Sequence, residues 1–372
     1  MQGKQNVISY LDLNNSKIIV MLLNGVNTKF AKIEEFDFEK KNMKPEMVLN
    51  VLINVLDSFV GENLCKQANY YCVLPQTYSS FEYVKVPNFN LTNTKNFIKP
   101  ELLRLGINSN DYLTKEHLVL KSKKTTTFKV SVMKKQMVAQ IVDAHKKLGL
   151  NLKGVGMQAS SRFSAISYLT KIKSSPILIL DVCEDKTIFY FANKQRLIFS
   201  YAMPYGKSQM EKGKTVGLLQ NSADACFEVY FNGQSVKNSF AGVQLDIDGE
   251  SKEKKKLLEK HSKVWKNIQK ESGIKVEIEP LIKILSLIKT SIANNGFGLF
   301  NEVYVNADNE IFESLKTEMQ KQQSNITLKD IFADIDECEL KDYLHLLGII
   351  FDYKYQPENV IDVKKVKFKP LN

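Results

Sequence analysis

Val7-Ile8-Ser9-Tyr10-Leu11-Asp12-Leu13-Asn14-Asn15-Ser16-Lys17, near the start of the chain, and Ile177-Leu178-Ile179-Leu180-Asp181-Val182-Cys183-Glu184-Asp185-Lys186-Thr187, near its middle, share one plan. Each is an apolar, β-rich run that reaches an aspartate, passes through a polar turn and resumes as a second apolar run, which is the pattern of a strand-turn-strand hairpin. The returning strands are Lys17–Leu23 and Thr187–Ala192, and third strands follow at Phe30–Phe38 and Gln195–Met203. The same opening recurring about 170 residues apart predicts a duplicated unit.

Working outward, Pro45 stands near the start of a helix running to about Val60, with Met47, Val48, Val51, Leu52, Val55 and Leu56 on one face. Strands are expected at Tyr70–Leu74, Ser80–Val86, Glu116–Leu120, Thr126–Val132 and Leu150–Val155. Lys134–Leu148 is patterned as a helix, with Met137, Val138, Ile141, Val142 and Leu148 in its stripe and Gly149 placed to end it. A helix over Ser160–Lys171 precedes Ser174-Ser175-Pro176, after which the opening pattern returns. Later elements are a helix over Pro280–Ile292, a strand Glu302–Val305, a helix over Glu310–Met319, a strand near Thr327–Ile331 and a last helix Leu340–Ile350.

The 372 residues suit two or three domains. A hydrophobic fraction of 44% with 25% charged residues is globular, which excludes disordered and collagen-like classes. The net charge of +11 attracts anions of any kind and by itself names no partner. Five scattered cysteines (Cys65, Cys72, Cys183, Cys226 and Cys338) show no C-x-x-C spacing, so free thiols in a reducing cytosol are expected rather than a zinc site. The first apolar run contains Asp12 and is too short for a signal peptide, and Lys283 and Lys289 interrupt the nearest thing to a membrane span.

A strand that ends in aspartate and turns tightly can hold nucleotide phosphates: the backbone N–H groups of the turn face the phosphates, and the carboxylate positions Mg²⁺ through water. Two such hairpins facing one another would clamp a phosphate chain from both sides. Each aspartate, Asp12 or Asp181, serves equally well as a turn former. Lys17 either reaches a phosphate as a point charge or is a solvated hairpin residue. His117, His145, His261 and His345 lack ligand or general-base spacing, and no P-loop or G-x-S-x-G is present, so no catalytic nucleophile is assigned.

On these residues the whole chain resembles the PilM branch of the actin-like proteins, relatives of the cell-division protein FtsA. The family's phosphate loops read Asp-x-Gly and Asp-x-Gly-x-x-x-Thr, matched here at Asp12, Ser16, Asp181 and Thr187. The Gln195–Met203 strand and Pro204-Tyr205-Gly206 turn stand where the family has Pro-x-Gly-Gly, and the Val130–Leu169 stretch and the Tyr343–Gly348 helix are also similar. The resemblance implies an α/β, actin-like (ribonuclease H-like) duplicated two-lobe fold with a small inserted α/β subdomain. The expected boundaries are 1–73 with 157–175 for the first lobe, 74–156 for the insert and 176–372 for the second lobe. It further implies ATP and Mg²⁺ as cofactors, with Asp12, Asn14, Asn15, Ser16, Lys17, Asp181, Cys183, Thr187, Gly206, Asn306, Ala307 and Asp308 around them and Asp12 and Asp181 on the Mg²⁺ side.

The chain departs from the pattern at three corners. Asn14 and Cys183 replace the loop glycines, and Asn306-Ala307-Asp308 replaces a Gly-Gly loop on the adenine side. Glycine lets backbone approach phosphate or adenine without a Cβ in the way, often at positive φ, so its loss three times predicts a degenerate nucleotide pocket. The resemblance implies a scaffold at the inner face of the cell membrane in a type IV pilus-like machine. There it would bind the short cytoplasmic N-terminal tail of a PilN-like membrane protein, and the resemblance also implies homo-oligomeric ring or filament self-association. The rival reading is an active ATPase whose nucleotide state controls polymerisation or partner binding. Nucleic-acid binding has only net charge behind it, without clustered Arg or stacking aromatics.

Three surface features remain. Lys252–Lys275 carries nine lysines against three glutamates, with Leu258, Trp265 and Ile268 on one helical face: an anionic-partner surface or an amphipathic helix with wet lysines. The tail alternates Lys364, Lys365, Lys367 and Lys369 with Val363, Val366 and Phe368, as an edge strand or a lipid contact would. Tyr83, Val84 and Val86 lie on a strand whose edge could capture an extended peptide.

Overall fold

The structure is a computed structural model that describes residues 4–12, 16–25, 27–38, 45–75, 78–87, 96–121, 123–170, 176–184, 186–193, 196–203, 205–212, 278, 281–282, 285–286, 288–289, 292, 300–321, 325–331 and 343–363. The chain divides into two compact units, the first holding residues 1–171, 239–242 and 335–372 and the second 172–238 and 243–334.

The first unit is built on a six-stranded sheet. β1 (Gln5–Asp12), β2 (Lys17–Asn24) and β3 (Asn27–Asp37) form an antiparallel meander, and β4 (Asn69–Leu74) lies parallel to β1 on the other side. β8 (Asn151–Met157) runs parallel to β4, and β14 (Val360–Asp362) closes the edge antiparallel to β8. The order is β14-β8-β4-β1-β2-β3. A parallel connection needs a crossover, and α1 (Pro45–Asn63) supplies the one between β3 and β4. Leu52, Leu56 and Phe59 of α1 are buried, as the apolar stripe requires.

The second unit repeats this plan. β9 (Ile177–Val182), β10 (Thr187–Asn193) and β11 (Arg196–Met203) form the meander; β12 (Glu302–Asn306) is parallel to β9 and β13 (Thr327–Asp330) parallel to β12, in the order β11-β10-β9-β12-β13. Order and direction are those of β3-β2-β1-β4-β8, which bears out the duplication. In both units the central strand is flanked on both sides, and Val7, Ile8 and Leu11 in β1 and Leu178, Ile179 and Leu180 in β9 have no exposed surface.

The crossover from β4 to β8 carries a separate three-stranded sheet, β5-β7-β6, made of β5 (Ser79–Pro87), β6 (Tyr112–Lys121) and β7 (Thr125–Lys134). One face is covered by the short α2 (Ile98–Arg104), where Val84, Val86, Phe128, Val130 and Val132 pack with Ile98 and Leu102. The expected insert, 74–156, is therefore too wide. α3 (Lys135–Lys147) and β8 belong to the lobe, because α3 packs on α1 and β8 completes the ladder with β4. α3 ends at Gly149, whose φ of +66° is left-handed, as the sequence predicts.

The other correction is at the C-terminus. Residues beyond 335, expected in the second lobe, belong to the first unit: α7 (Leu344–Tyr355) packs on α4 (Gln158–Leu169), and β14 pairs with β8. Gly348 makes the helix crossing possible, since a Cβ there would lie 1.5 Å from the Ser161 carbonyl oxygen. α5 (Lys207–Lys212) and α6 (Asn309–Lys321) complete the second unit, together with helical positions 281, 282, 285, 286, 288, 289 and 292, of which Leu281, Ile282, Leu285, Ile288 and Ile292 are buried. The lysine-rich stretch 252–275 and the tail 364–372 lie outside the described residues.

Candidate functional site

The two hairpins end their central strands as expected. In the first unit Asp12 is the last residue of β1 and sits opposite Lys17 of β2 in the ladder. Asn14 and Asn15 lie outside the described residues. Ser16 holds a φ of +57°, a left-handed turn conformation that carries strain in any residue with a Cβ, and its carbonyl accepts the Phe38 N–H at 2.8 Å. Lys17 directs its ammonium onto β3, 2.7 Å from Glu35 Oε2 and 4.0 Å from Asp37 Oδ1. Glu35 also accepts the Tyr343 hydroxyl at 2.8 Å, and the Lys17 hydrogen bond, followed by that of Tyr343, holds its carboxyl below the usual carboxylate range.

The second unit gathers more of the expected set. Asp181 has no exposed surface, and parallel pairing of β9 with β12 sets it beside Asn306, whose Nδ2 donates to Asp181 Oδ1 at 2.7 Å. Thr187, also fully buried, donates its hydroxyl to the Tyr205 carbonyl at 2.6 Å, tying the start of β10 to the end of the third strand. The turn is tight, with the Cys183 N–H donating to the Lys186 carbonyl at 2.8 Å.

That turn is docked on the segment after β11. The Cys183 carbonyl accepts the Lys207 N–H at 2.9 Å, and the Glu184 carbonyl accepts both the N–H and the hydroxyl of Ser208 at 3.0 Å. Gly206 is buried beneath it, and its carbonyl accepts the Met210 N–H at 3.1 Å. Lys207 pairs through its ammonium with Asp308, while the half-buried Ala307 separates Asp308 from Asn306. Asp181, Cys183, Thr187, Gly206, Asn306, Ala307 and Asp308 thus converge at one end of the second sheet.

What this end can bind follows from its donor set. A carboxylate that positions Mg²⁺ through water accepts hydrogen bonds from that water. Here one oxygen of Asp181 already accepts an amide N–H, and Asn306 projects a donor where a hydrated cation would need acceptors. Asp181 and Asn306 thus form a polar corner in which one carboxylate oxygen is taken by a side chain of the same unit. Among the described residues no group of three or more His, Cys, Asp or Glu side chains is placed to hold a metal ion.

Sequence reasoning missed a second polar cluster, inside the first unit where the inserted sheet meets the lobe. Lys129 of β7 is 1% exposed; its ammonium lies 3.1 Å from Asn359 Oδ1 and 4.9 Å from the centroid of the Phe81 ring. Asn359 donates to Gln356 Oε1 at 3.3 Å, Gln356 donates to Ser164 Oγ at 3.1 Å, and Ser164 donates to Asp352 Oδ1 at 2.6 Å. Burial raises the Asp352 carboxyl to about 6, against the opposing pull of the Ser164 hydroxyl. Ser131 Oγ donates to the Glu358 carbonyl at 3.0 Å, and Lys115 donates to the carbonyls of Pro357 and Val360. The short segment 357–360 thereby straps the insert to its lobe. No local motif announces contacts between residues more than two hundred positions apart.

The expected peptide-capturing strand is at a sheet edge, since β5 pairs only with β7 within its sheet. Val84 and Val86 point into the α2-facing core, so only the backbone edge of β5 could serve such a partner. Cys65, Cys72 and Cys183 are free thiols. No described helix is long and apolar enough to cross a membrane.

Two units with one five-stranded topology, each with an aspartate in the last two residues of its central strand at a hairpin, define the actin-like duplicated α/β fold. No family model and no curated protein match the sequence. Among solved structures, the chain is similar to one described as a PilM-PilN type IV pilus biogenesis complex, with a TM-score of 0.52 and 10% identity, covering 93% of this chain and 97% of that one. More distant likenesses are to the cytoplasmic domain of EpsL, an inner membrane component of the type II secretion system of Vibrio cholerae (TM-score 0.37, 12% identity, 70% of this chain and 95% of that one), and to a Bacteroides thetaiotaomicron protein with an actin-like ATPase fold (TM-score 0.37, 8% identity, 93% and 96%).

Proposed function

We propose that this chain is a PilM-like scaffold of a type IV pilus-like assembly machine, working at the inner face of the cell membrane without nucleotide turnover. Its partner is the short cytoplasmic N-terminal tail of a PilN-like membrane protein, and binding that tail tethers the chain to the membrane. The partner class rests on the likeness in fold to the PilM-PilN complex over nearly all of both chains. The observation that supports the non-catalytic part is the Asn306–Asp181 hydrogen bond: one oxygen of this buried carboxylate accepts from a side chain of its own unit.

This corner then works as a structural lock. Asn306 fixes the end of β12 to β9, Lys207 with Asp308 fixes the following turn, and Thr187 fixes the hairpin to Tyr205. Partner recognition needs a rigid frame, and a locked corner supplies one without ligand. Self-association into rings or filaments belongs to the same reading.

Titration of synthetic tail peptides from candidate membrane partners, with and without Mg²⁺–ATP, tests it. The expected result is saturable binding of one tail with the same affinity under both conditions. Steady ATP hydrolysis that disappears in Asp181→Ala would replace this reading with that of a working ATPase.

A further inference from the structure

The inserted sheet is more basic than the rest of the molecule. Residues 79–134 contain ten lysines and arginines against four acidic residues, a net +6 of the chain's +11. Of the four acids, Glu82 is buried, Glu101 lies 3.0 Å from Arg104, Asp111 stands at the end of the sheet that joins the lobe, and Glu116 is exposed midway along β6.

At the other end four lysines lie near the β6–β7 turn, with Lys85 and Lys121 on opposite faces of the sheet because their partners are successive residues of β7. Lys121 pairs with Thr126 and Lys85 with Thr127, while Lys123 and Lys124 directly precede β7; all four are exposed. β7 runs ten residues from this turn to Lys134, so the tip stands about 30 Å from the junction with α3. Leu118, 40% exposed on β6, adds an apolar residue a short way down the strand.

The chemistry of the tip selects among anions. Lysine is a compact point charge without the planar fork that grips a carboxylate or phosphate in two places, and the tip contains no arginine. Flexible ammoniums spread over an exposed turn suit a diffuse layer of negative charge better than one acidic side chain. We propose that the β6–β7 tip is a docking surface for the anionic headgroups of a lipid bilayer. It acts as a second, weak attachment that orients the chain on the membrane independently of any tail-binding site.

Flotation with phosphatidylcholine vesicles, with and without phosphatidylglycerol, tests this on the full chain with no partner present, so failure here leaves the tail-binding reading standing. Each lysine near such a surface contributes about fivefold in partitioning, so replacing all four should weaken binding about 600-fold. The test variant is K85Q/K121Q/K123Q/K124Q. The control, K66Q/K146Q/K147Q/K354Q, removes the same charge from exposed positions elsewhere in the unit. Expected are salt-sensitive binding to anionic vesicles only, its loss in the tip variant and its retention in the control. Equal binding by both variants, or equal loss in both, overturns the proposal, as does a tip variant that keeps vesicle binding but loses binding to polyglutamate. Amine-labelling of the unmodified chain gives a reading free of folding effects: vesicles should protect Lys85, Lys121, Lys123 and Lys124, and protection confined to lysines outside these four overturns it.

Discussion

Replacing Asn306 by alanine removes a donor from a carboxylate that has no contact with solvent. A hydrogen bond to a charged group contributes about 1.5–3 kcal/mol, and a buried acceptor left short of its donor costs a similar amount. For a unit of this size each kcal/mol moves the melting temperature about 2–4 °C, so Asn306→Ala should melt the second unit about 3–12 °C early. Asn306→Asp should do worse at neutral pH, where two carboxylates would meet at hydrogen-bonding distance, and recover on acidification as one of them takes up a proton and becomes a donor. The informative variant is the exchange D181N/N306D, which restores one amide and one carboxylate with their positions reversed. Differential scanning calorimetry on the parent, D181N, N306D and the exchange gives the coupling energy directly. If Asn306→Ala shifts stability by less than about 0.5 kcal/mol, or the exchange is no more stable than the two single variants predict by addition, the corner is not the lock inferred here.

Other outcomes follow from the same coordinates. Gly348→Ala places a methyl group into the Ser161 backbone, so it should destabilise the first unit by about 3 kcal/mol or more, read as a lower urea midpoint. Asp352 and Glu82 are buried acids raised by desolvation to about 6 and about 7, so the folded chain holds their protons where the unfolded chain has released them. Each therefore adds stability at low pH that is lost as pH rises, from about 4 to 6 for Asp352 and from about 4.5 to 7 for Glu82, on the order of 3 kcal/mol apiece. Asp352→Asn and Glu82→Gln should accordingly gain on the parent as pH climbs through those windows. His145, lowered to about 4 by burial, gives the opposite slope, which His145→Gln should remove. Lys129→Met breaks the link between the insert and the 357–360 strap, and hydrogen exchange in β6 and β7 should rise while exchange in β9 to β13 stays as it was. Lys17→Ala, by contrast, removes a partly exposed ion pair and should change stability by less than about 1 kcal/mol.

Much of this architecture was legible in the sequence. Unbroken apolar runs such as Ile177–Leu180 read as buried central strands, and the recurrence of strand, aspartate, turn and strand disclosed the duplication that the ladders show. What was not legible depends on pairing across long stretches of chain. β14 is three residues long, too short to show a period, and joins the first sheet only because β8 offers it an edge. Expecting glycine at 306–308 flagged Asn306, Ala307 and Asp308 as an anomaly, but only the register of β12 against β9 reveals what Asn306 does there. The Lys129–Asp352 cluster is silent in sequence for the same reason, since its members come from β7, α4, α7 and the strap.

The most direct test of the central claim is an equilibrium titration of the intact chain with a fluorescent ATP analogue in Mg²⁺-containing and Mg²⁺-free buffer. The account predicts no saturable, Mg²⁺-dependent binding, because the Asp181 carboxylate is held by Asn306. Micromolar affinity that requires Mg²⁺ and disappears in Asp181→Ala would contradict it.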